Sequence, residues 1–203
     1  MVQHLHVTYN DIHRLISQRM PQVAKEFPPD ILLAIGGGGF FPARVMRTFL
    51  REQTANKTLQ IQAIGLSLYE PVEGTSAEQI GQEVVRTQWL GTDAGKQLLG
   101  KRVLIVDEVD DTRKTLHYAV SELQKDIEAE LANHPESERD ALRKATQFGI
   151  FVVHNKLKPK LAELPAGTPY FSGADLGDLW LDYPWEAIDI EAHNSQANAE
   201  AKS

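Results

Sequence analysis

One stretch of the chain, residues 103–116, constrains the fold more than any other. It opens with four apolar residues, Val103 to Val106, then turns acidic, and then passes into a helical pattern from Thr112 to about Leu131. A short apolar run bounded in this way is typical of a strand buried on both faces, as in parallel sheets covered by helices. The stretch therefore predicts an α/β protein in which this strand feeds a tight loop and a helix.

Strand and helix patterns alternate along the rest of the chain. Residues 31–35, 59–68 and 148–153 read as buried strands, and helical spacing of apolar residues is found over 12–24 and after Pro42. This alternation predicts a mostly parallel sheet with helices on both faces. In such folds the carboxyl ends of the strands share one edge, and ligands bind there.

The remaining segments are predicted to form a loop, a hood and a tail. Residues 70–81 are polar and predict a mobile loop, followed by a short returning strand over 84–90. Residues 1–190 are expected to form a single domain, with a small hood built from the N-terminal segment and roughly residues 155–190. The small, polar residues 191–203 predict a disordered tail.

The composition excludes several classes of protein. The 203 residues include no cysteine, which rules out disulfides, thiol catalysis and zinc–thiolate sites. A net charge of −7 argues against a nucleic-acid partner. No apolar run reaches the ~20 residues that a membrane helix needs, so no membrane partner is expected. The N-terminus has no signal-peptide pattern, and a cytoplasmic protein is therefore expected.

The acidic residues and threonines after Val106 form the first candidate site. Asp107 and Glu108 end the strand, and Val109 to Thr115 lead into the helix. The first amides of a helix have no internal partner and favour an anion such as phosphate. A carboxylate pair repels phosphate but suits vicinal hydroxyls. The stretch therefore describes a site for a ribose 5-phosphate.

Four glycines, Gly36 to Gly39, form a second candidate loop after the strand that ends at Ile35. Their spacing is neither GxxxxGK[ST] nor GxGxxG, since Phe41 stands where the third glycine of the latter belongs. Glycines between a strand and a helix allow a ligand to approach the backbone closely. A flexible turn without a ligand is the alternative.

These motifs resemble those of the type I phosphoribosyltransferases. Residues 103–116 resemble their phosphoribosyl pyrophosphate signature, and four other segments are similar to fungal hypoxanthine-guanine and xanthine enzymes: Ala34–Arg44, Gly65–Glu70, Arg86–Trp89 and Tyr183–Trp185. The resemblance implies transfer of a 5-phosphoribosyl group from phosphoribosyl pyrophosphate to N9 of a 6-oxopurine, namely hypoxanthine, guanine or xanthine. Pyrophosphate and a nucleoside monophosphate are the implied products, with Mg²⁺ as cofactor and a homodimer as the assembly.

The resemblance also implies roles for individual residues. Asp107 and Glu108 would bind the ribose hydroxyls and would reach magnesium through ribose or water, and Asp111 would act catalytically near N7 of the purine. The 5-phosphate loop would comprise Val109, Asp110, Asp111, Thr112, Arg113, Lys114 and Thr115. Pyrophosphate would bind Gly37, Gly38 and Gly39. Ser67, Tyr69 and Arg86 would belong to a flexible loop, and Lys156 and Trp180 would bind the purine.

Several of these roles have alternatives. Asp111, Thr112 and Thr115 also suit helix capping. Arg86 also suits a surface position, and Lys158 competes with Lys156 as the donor to O6. Asp110 is expected to be exposed. A regulator that binds phosphoribosyl pyrophosphate without catalysis is the second functional hypothesis.

Two positions depart from the pattern of the family. Arg113 stands where many relatives have glycine, so its side chain either restricts the loop or adds a phosphate contact. Gly37 stands where some purine relatives have a basic residue, so a pyrophosphate contact there would rest on backbone amides.

Overall fold

The structure, a computed structural model, describes residues 3–71 and 78–201, with the backbone alone over 68–71 and 78–83. Its elements in chain order are β1 (His4–His6), α1 (Tyr9–Glu26), β2 (Ile31–Gly36), α2 (Phe40–Gln53), β3 (Gln60–Pro71), β4 (Glu78–Gln88), α3 (Ala94–Leu98), β5 (Arg102–Asp110), α4 (Lys114–Leu131), α5 (Glu136–Ala145), β6 (Gln147–Lys156), β7 (Tyr170–Leu176), β8 (Trp180–Asp182), a 3-10 turn (Pro184–Glu186) and α6 (Ile190–Glu200).

Six strands form the main sheet, in the order β4-β3-β2-β5-β6-β7. Every neighbouring pair is parallel except β3 and β4, which are antiparallel. Ala34 of β2 lies between Ala63 of β3 and Val106 of β5, so these strands end at the same edge. The predicted α/β fold with a mostly parallel sheet is confirmed.

The central strands are buried on both faces. In β5, Leu104 and Val106 pack with α1 and α2, whereas Val103 and Ile105 pack with α4 on the opposite face. Alternate residues of a strand point to opposite faces, so burial of both faces requires an uninterrupted apolar run. This packing explains the sequence pattern that predicted the strand.

The hairpin of β3 and β4 is longer than the sequence predicted. The polar segment 70–81 was expected to be a loop, but backbone pairing joins Tyr69 to Ile80 and Pro71 to Glu78. The loop prediction is therefore wrong for the described ends of this segment, because antiparallel pairing can continue through polar residues whose backbone groups bond each other. Residues 72–77 lie outside the described residues.

The C-terminal segment forms a helix, so the prediction of a disordered tail is wrong for residues 191–200. The Asp189 side chain caps α6 by accepting a hydrogen bond from the amide of Ala192 at 3.0 Å. Buried His193 contacts the carbonyl of Val7 through Nε2 at 2.9 Å. Glu200 accepts from the His6 amide at 2.9 Å. These contacts with the start of the chain hold a segment whose composition alone predicts disorder.

The first strand also depends on the last part of the chain. β1 pairs in parallel with β8 in a separate two-stranded sheet, with His4 opposite Trp180 and His6 opposite Asp182. The N-terminal segment and the segment before α6 therefore lie together beside the main sheet. Over 3–71 and 78–201, every helix is too short or too polar to cross a lipid bilayer.

Candidate active site

A cavity of about 530 Å³ lies at the carboxyl edge of the sheet. It is lined by Ile35, Gly36, Gly37, Gly38, Phe41, Leu66, Ser67, Asp107, Glu108, Val109, Asp110, Asp111, Thr112, Arg113, Thr115, Leu116, Trp185 and Glu186. The glycine loop, the end of β3 and the acidic-threonine loop thus meet at one cavity, as the shared strand edge predicted.

The acidic pair stands at the end of β5, and no basic side chain among the described residues forms an ion pair with it. Asp107 is buried, and the Glu108 amide donates to its Oδ1 at 3.0 Å. Burial and the neighbouring Glu108 carboxylate raise the pKa of Asp107 well above its usual range. Glu108 Oε2 is buried without a hydrogen-bond partner among the described residues. The pair therefore fits a ligand that brings hydroxyl donors or a cation.

The glycine loop passes directly over Glu108. A Cβ atom on Gly38 would collide with the Glu108 carboxylate, and one on Gly39 would collide with the carbonyl of Val106. The peptide bond between Gly36 and Gly37 is cis. Gly37 and Gly38 line the cavity, whereas Gly39 lies beneath it at the start of α2. A Cβ on Gly37 would meet nothing within 4 Å, so this residue faces open space.

The acidic-threonine loop presents its backbone to the same cavity. Arg113 has a φ of 69°, in the left-handed region that glycine adopts freely, and it precedes the first residue of α4. The Arg113 side chain does not cap the helix. Thr112 Oγ1 accepts from the Lys114 amide at a long 3.4 Å. Lys114 does not line the cavity, in contrast to the other residues of the predicted phosphate loop.

Asp110 is buried, so the prediction that it is exposed is wrong. Its Oδ2 accepts from Arg113 Nε at 3.0 Å, from Arg113 Nη2 at 2.8 Å and from the Tyr170 hydroxyl at 2.8 Å. The Arg113 guanidinium also lies over the Tyr170 ring, 5.1 Å from its centroid. Burial and the nearby Asp110 carboxylate raise the pKa of Tyr170. The Arg113 side chain is therefore committed to Asp110.

Asp111 lies between two lysines. Lys156 Nζ is 3.2 Å from Oδ2 and Lys158 Nζ is 2.5 Å from Oδ1. Burial acts to raise the pKa of Asp111, but the two ammonium groups outweigh it and lower the pKa. Asp111 is therefore a carboxylate at neutral pH. Lys156 does not line the cavity itself but contacts Asp111, which does. Both lysines also lie near Asp178, and the distance from Lys158 Nζ to Asp178 Oδ1 is 3.0 Å.

Aromatic rings close one side of the cavity. Trp185 lines it and stacks on Phe41 at 5.6 Å and on Tyr183 at 4.8 Å between ring centroids. Trp180, which the sequence assigned to the purine, is 49% exposed and does not line the cavity. The sequence analysis missed Trp185, although it lies in one of the segments that carry the family resemblance.

Tyr183 connects this ring stack to the acidic pair. Its hydroxyl donates to the carbonyl of Glu108 at 3.0 Å and lies 2.9 Å from Nδ1 of His154. Burial lowers the pKa of His154 to about 4, so the imidazole is neutral at pH 7. Because the hydroxyl hydrogen is used on Glu108, His154 donates through Nδ1 to the Tyr183 oxygen.

The three residues assigned to the flexible loop are placed differently. Ser67 lines the cavity. Arg86 does not line it, but pairs with Glu122 of α4 and lies 4.0 Å above the ring of Trp89. This placement favours the surface alternative for Arg86. The side chain of Tyr69 lies outside the described residues.

Comparisons with known proteins identify the relatives of this chain, although no protein-family model matches it. A hypoxanthine-guanine phosphoribosyltransferase of Schizosaccharomyces pombe is 52% identical over 197 residues, which cover 94% of this chain and 93% of the relative. Xanthine phosphoribosyltransferase 1 of Saccharomyces cerevisiae is 46% identical over 208 residues, covering 98% of this chain and 97% of the relative.

Solved structures share the fold. A Neisseria gonorrhoeae protein with bound ppGpp superposes with a TM-score of 0.75 at 36% identity and 98% coverage of both chains. A purine phosphoribosyltransferase of Pyrococcus horikoshii has a TM-score of 0.61 at 21% identity, covering 92% of this chain and 96% of its own. With both fungal relatives matched over nearly their whole length, the chain belongs to the hypoxanthine-guanine and xanthine phosphoribosyltransferases, enzymes of purine salvage.

Proposed function

We propose that this enzyme transfers the 5-phosphoribosyl group of phosphoribosyl pyrophosphate to N9 of a 6-oxopurine. The observation that carries the proposal is the meeting of the acidic pair, the amide-rich loop and the glycine loop around one cavity of about 530 Å³. This volume lies within the range of ~300–1,000 Å³ that is usual for small-molecule sites.

Phosphoribosyl pyrophosphate has three chemical parts, the ribose, the 5-phosphate and the pyrophosphate, and each is assigned to a different group at the strand edge. Asp107 and Glu108 accept hydrogen bonds from the ribose hydroxyls, which is supported by the unpartnered Oε2 of Glu108. The loop from Val109 to Thr115 binds the 5-phosphate through its amides at the start of α4. Gly37 and Gly38 bring backbone amides to the pyrophosphate, supported by the open space at Gly37. The amide of Gly39, which the sequence assigned to the same contact, instead donates to the carbonyl of Ile35 at 2.9 Å.

Magnesium fits this site in one specific way. The described residues contain no group of three metal-ligating side chains, so a magnesium ion would take few ligands from the protein. The adjacent carboxylates of Asp107 and Glu108 are the groups that would hold it through ribose or water. When bound, the ion offsets negative charge on the pyrophosphate leaving group.

Transfer begins when the bond between the anomeric carbon and the pyrophosphate oxygen breaks. Positive charge grows on the sugar and negative charge on the leaving oxygens. The amides of the glycine loop stabilise the latter, because backbone dipoles fixed in advance need no reorganisation. The acidic pair and the phosphate loop hold the sugar at two points, so the anomeric carbon stays aligned with N9.

Asp111 is the catalytic residue that handles the purine proton. Its pKa is lowered by Lys158 and Lys156 despite burial, so it is ionised and can accept a hydrogen bond from N7–H of the base. As the bond from N9 to the sugar forms, the purine gives up one proton, and the carboxylate is placed to take it.

Two side chains are proposed to recognise the base. Lys156 donates to O6 of the purine, supported by its position next to Asp111, and Lys158 remains the alternative because it contacts the same carboxylate. Trp180 stands two residues after Asp178, which contacts both lysines. We assign it to stacking on the base when the hood closes. Trp185 is the competing ring, since it already lines the cavity.

Closure of the segment that follows Ser67 would exclude water, which otherwise hydrolyses the donor. Ser67 lines the cavity at the start of this segment. Tyr69 is assigned to the same closure. Arg86 would take part in the closure only if its ion pair with Glu122 were broken. The product is a nucleoside monophosphate, and the proposed assembly is a homodimer.

Initial rates with hypoxanthine, guanine, xanthine and adenine test the proposal. With phosphoribosyl pyrophosphate and magnesium present, we expect at least one 6-oxopurine to be converted and adenine to be left unchanged. Donor binding without turnover of any base would support the regulatory alternative, which none of the comparisons supports.

A further inference from the structure

Lys160 is a nearly buried lysine that no step of the reaction uses. It belongs to the segment between β6 and β7, and its Nζ donates to three carbonyl oxygens: Asp110 at 2.7 Å, Asp111 at 3.0 Å and Lys156 at 2.9 Å. An ammonium group has three hydrogens, so these bonds use all of them. Asp110 Oδ1 lies 3.4 Å away and balances the charge without a hydrogen bond of its own.

The next residue continues the same pattern. The amide of Leu161 donates to the carbonyl of Thr112 at 3.0 Å. Three consecutive carbonyls of the loop, those of Asp110, Asp111 and Thr112, are therefore all turned toward Lys160 and Leu161. None of these three carbonyl oxygens therefore directs its partial negative charge into the cavity.

The orientation of these carbonyls fixes the orientation of the amides. All peptide bonds of this loop are trans, and in a trans peptide the C=O and the following N–H point in opposite directions. The amides of Asp111, Thr112 and Arg113 therefore point away from Lys160. All three residues line the cavity, so their amides are directed to the side where an anion would bind.

We propose that Lys160 is a positioning residue that orients the loop amides toward the 5-phosphate without touching it. The inference rests on the proposed assignment of this loop to the phosphate. Without the ammonium, the loop carbonyls of Asp110 and Asp111 lose their Lys160 partner, and peptide rotations that bring these oxygens toward the anion become accessible. A phosphate would then meet acceptors in place of donors.

The test compares a ligand that carries the phosphate with one that lacks it. Calorimetry measures the Kd of guanosine 5′-monophosphate and of guanosine for the full-length wild type and for Lys160→Met. In the wild type we expect the monophosphate to bind at least about 10-fold more tightly. In Lys160→Met this preference falls by roughly 10-fold, the scale of one charge-assisted hydrogen bond, while guanosine binds within about 2-fold of wild type.

Kinetics give a second readout that a general loss of structure would not produce. In Lys160→Met, the KM for phosphoribosyl pyrophosphate rises while the KM for the purine stays within about 2-fold. Lys160→Arg keeps the charge and several donors, and it is expected to restore most of the phosphate preference. Lys144→Met, which removes an exposed lysine of α5, is the matched control and leaves both ligands unaffected.

Two results would overturn the inference in different ways. A wild type that does not prefer the monophosphate refutes the phosphate assignment of the loop and the role of Lys160 with it. A wild type that has this preference, with Lys160→Met retaining it in full, refutes the role of Lys160 alone. If Lys160→Met does not fold, Lys160→Gln replaces it in the test, because it keeps two N–H donors without the charge. Full retention of the monophosphate preference in that variant refutes the role of Lys160 in the same way.

Discussion

Arg113 and Asp110 form an ion pair in which both Nε and Nη2 of the guanidinium donate to one carboxylate oxygen, at 3.0 and 2.8 Å. Arg113 is itself the left-handed residue that precedes α4, and a side chain has an intrinsic conformational cost in that region. Two effects of opposite sign therefore act at Arg113, and their sizes decide what a substitution does.

Replacing Arg113 with glycine is expected to destabilise the fold. Glycine relieves a left-handed strain of roughly 1–2 kcal/mol, but breaking a buried ion pair by removing one partner costs about 3–5 kcal/mol. We expect a net loss of about 1–4 kcal/mol, visible as a lower Tm. A matched variant, Arg113→Gly with Asp110→Asn, removes the buried carboxylate that Arg113 no longer contacts and should recover part of the loss, although Lys160 still lies 3.4 Å from that carboxylate in the single variant. An unchanged or higher Tm for Arg113→Gly alone contradicts this reasoning.

Asp107→Asn is expected to stabilise the protein increasingly as the pH rises. Burial and Glu108 raise the pKa of Asp107, so between its unfolded value of ~3.9 and the higher folded value the native state binds more protons. Stability therefore falls as the pH rises through this window. The neutral asparagine avoids that loss. Thermal melts from pH 4 to pH 8 should show a growing advantage of the variant, together with a raised KM for the donor. A pH-independent difference in Tm would rule out this origin.

Asp111→Asn is expected to lower kcat by roughly 10²-fold or more, the scale of general acid–base catalysis. The amide still fills the space between the two lysines but cannot take the purine proton. The KM for phosphoribosyl pyrophosphate should stay close to wild type, because the proposed donor contacts lie on Asp107, Glu108 and the loop amides. A kcat within a factor of about two of wild type, well below that scale, would leave Asp111 with a structural role only.

Lys156→Met and Lys158→Met are expected to differ in how they change base specificity. A donor to O6 faces another donor when adenine binds, and a site built around a hydrogen bond strongly rejects an analogue that cannot make it. Lys156→Met should lower kcat/KM for 6-oxopurines and narrow the gap to adenine, whereas Lys158→Met should keep the gap. The reverse result would move the O6 contact to Lys158. If both variants keep full discrimination, neither lysine reads O6.

A homodimer is expected in solution. Exposed aromatic side chains are grouped where α1 and α2 begin: Tyr9 contacts Phe41, whose ring is stacked on Trp185. Exposed apolar groupings of this kind often mark protein interfaces. Tyr183, the next ring in this stack, is buried and does not contribute to the exposed grouping. Light scattering at micromolar concentration should give twice the mass of one chain, and the mass of a single chain would refute the dimer.

The sheet and the convergence of its loops were predictable because the signals are local. The apolar run from Val103 to Val106 reports burial on both faces, and the residues at its end must lie at the strand edge. The same argument places Gly36 to Gly39 at that edge. The order of strands and loops along the chain was therefore sufficient to predict that the acidic pair and the glycine loop meet at one cavity.

The environment of individual side chains was not predictable in the same way. Asp110 is buried because Tyr170 of β7, 60 residues later, donates to its carboxylate. Trp185 reaches the cavity because Phe41 and Tyr183 stack on its two sides. Partners that are distant in sequence decide both cases, and a pattern of residue types in one segment carries no information about them.

The pairing of β1 with β8 determines the order in which parts of the fold can form during translation. The strand partner of His4, Trp180, is translated 176 residues after it, and α6 follows after that. β1 must therefore wait, unpaired, until β8 has been translated. A nascent chain can assemble the sheet edge that is assigned to the sugar donor well before it completes the segment that is proposed to bind the purine, so a prematurely terminated chain would lose the proposed purine contacts first.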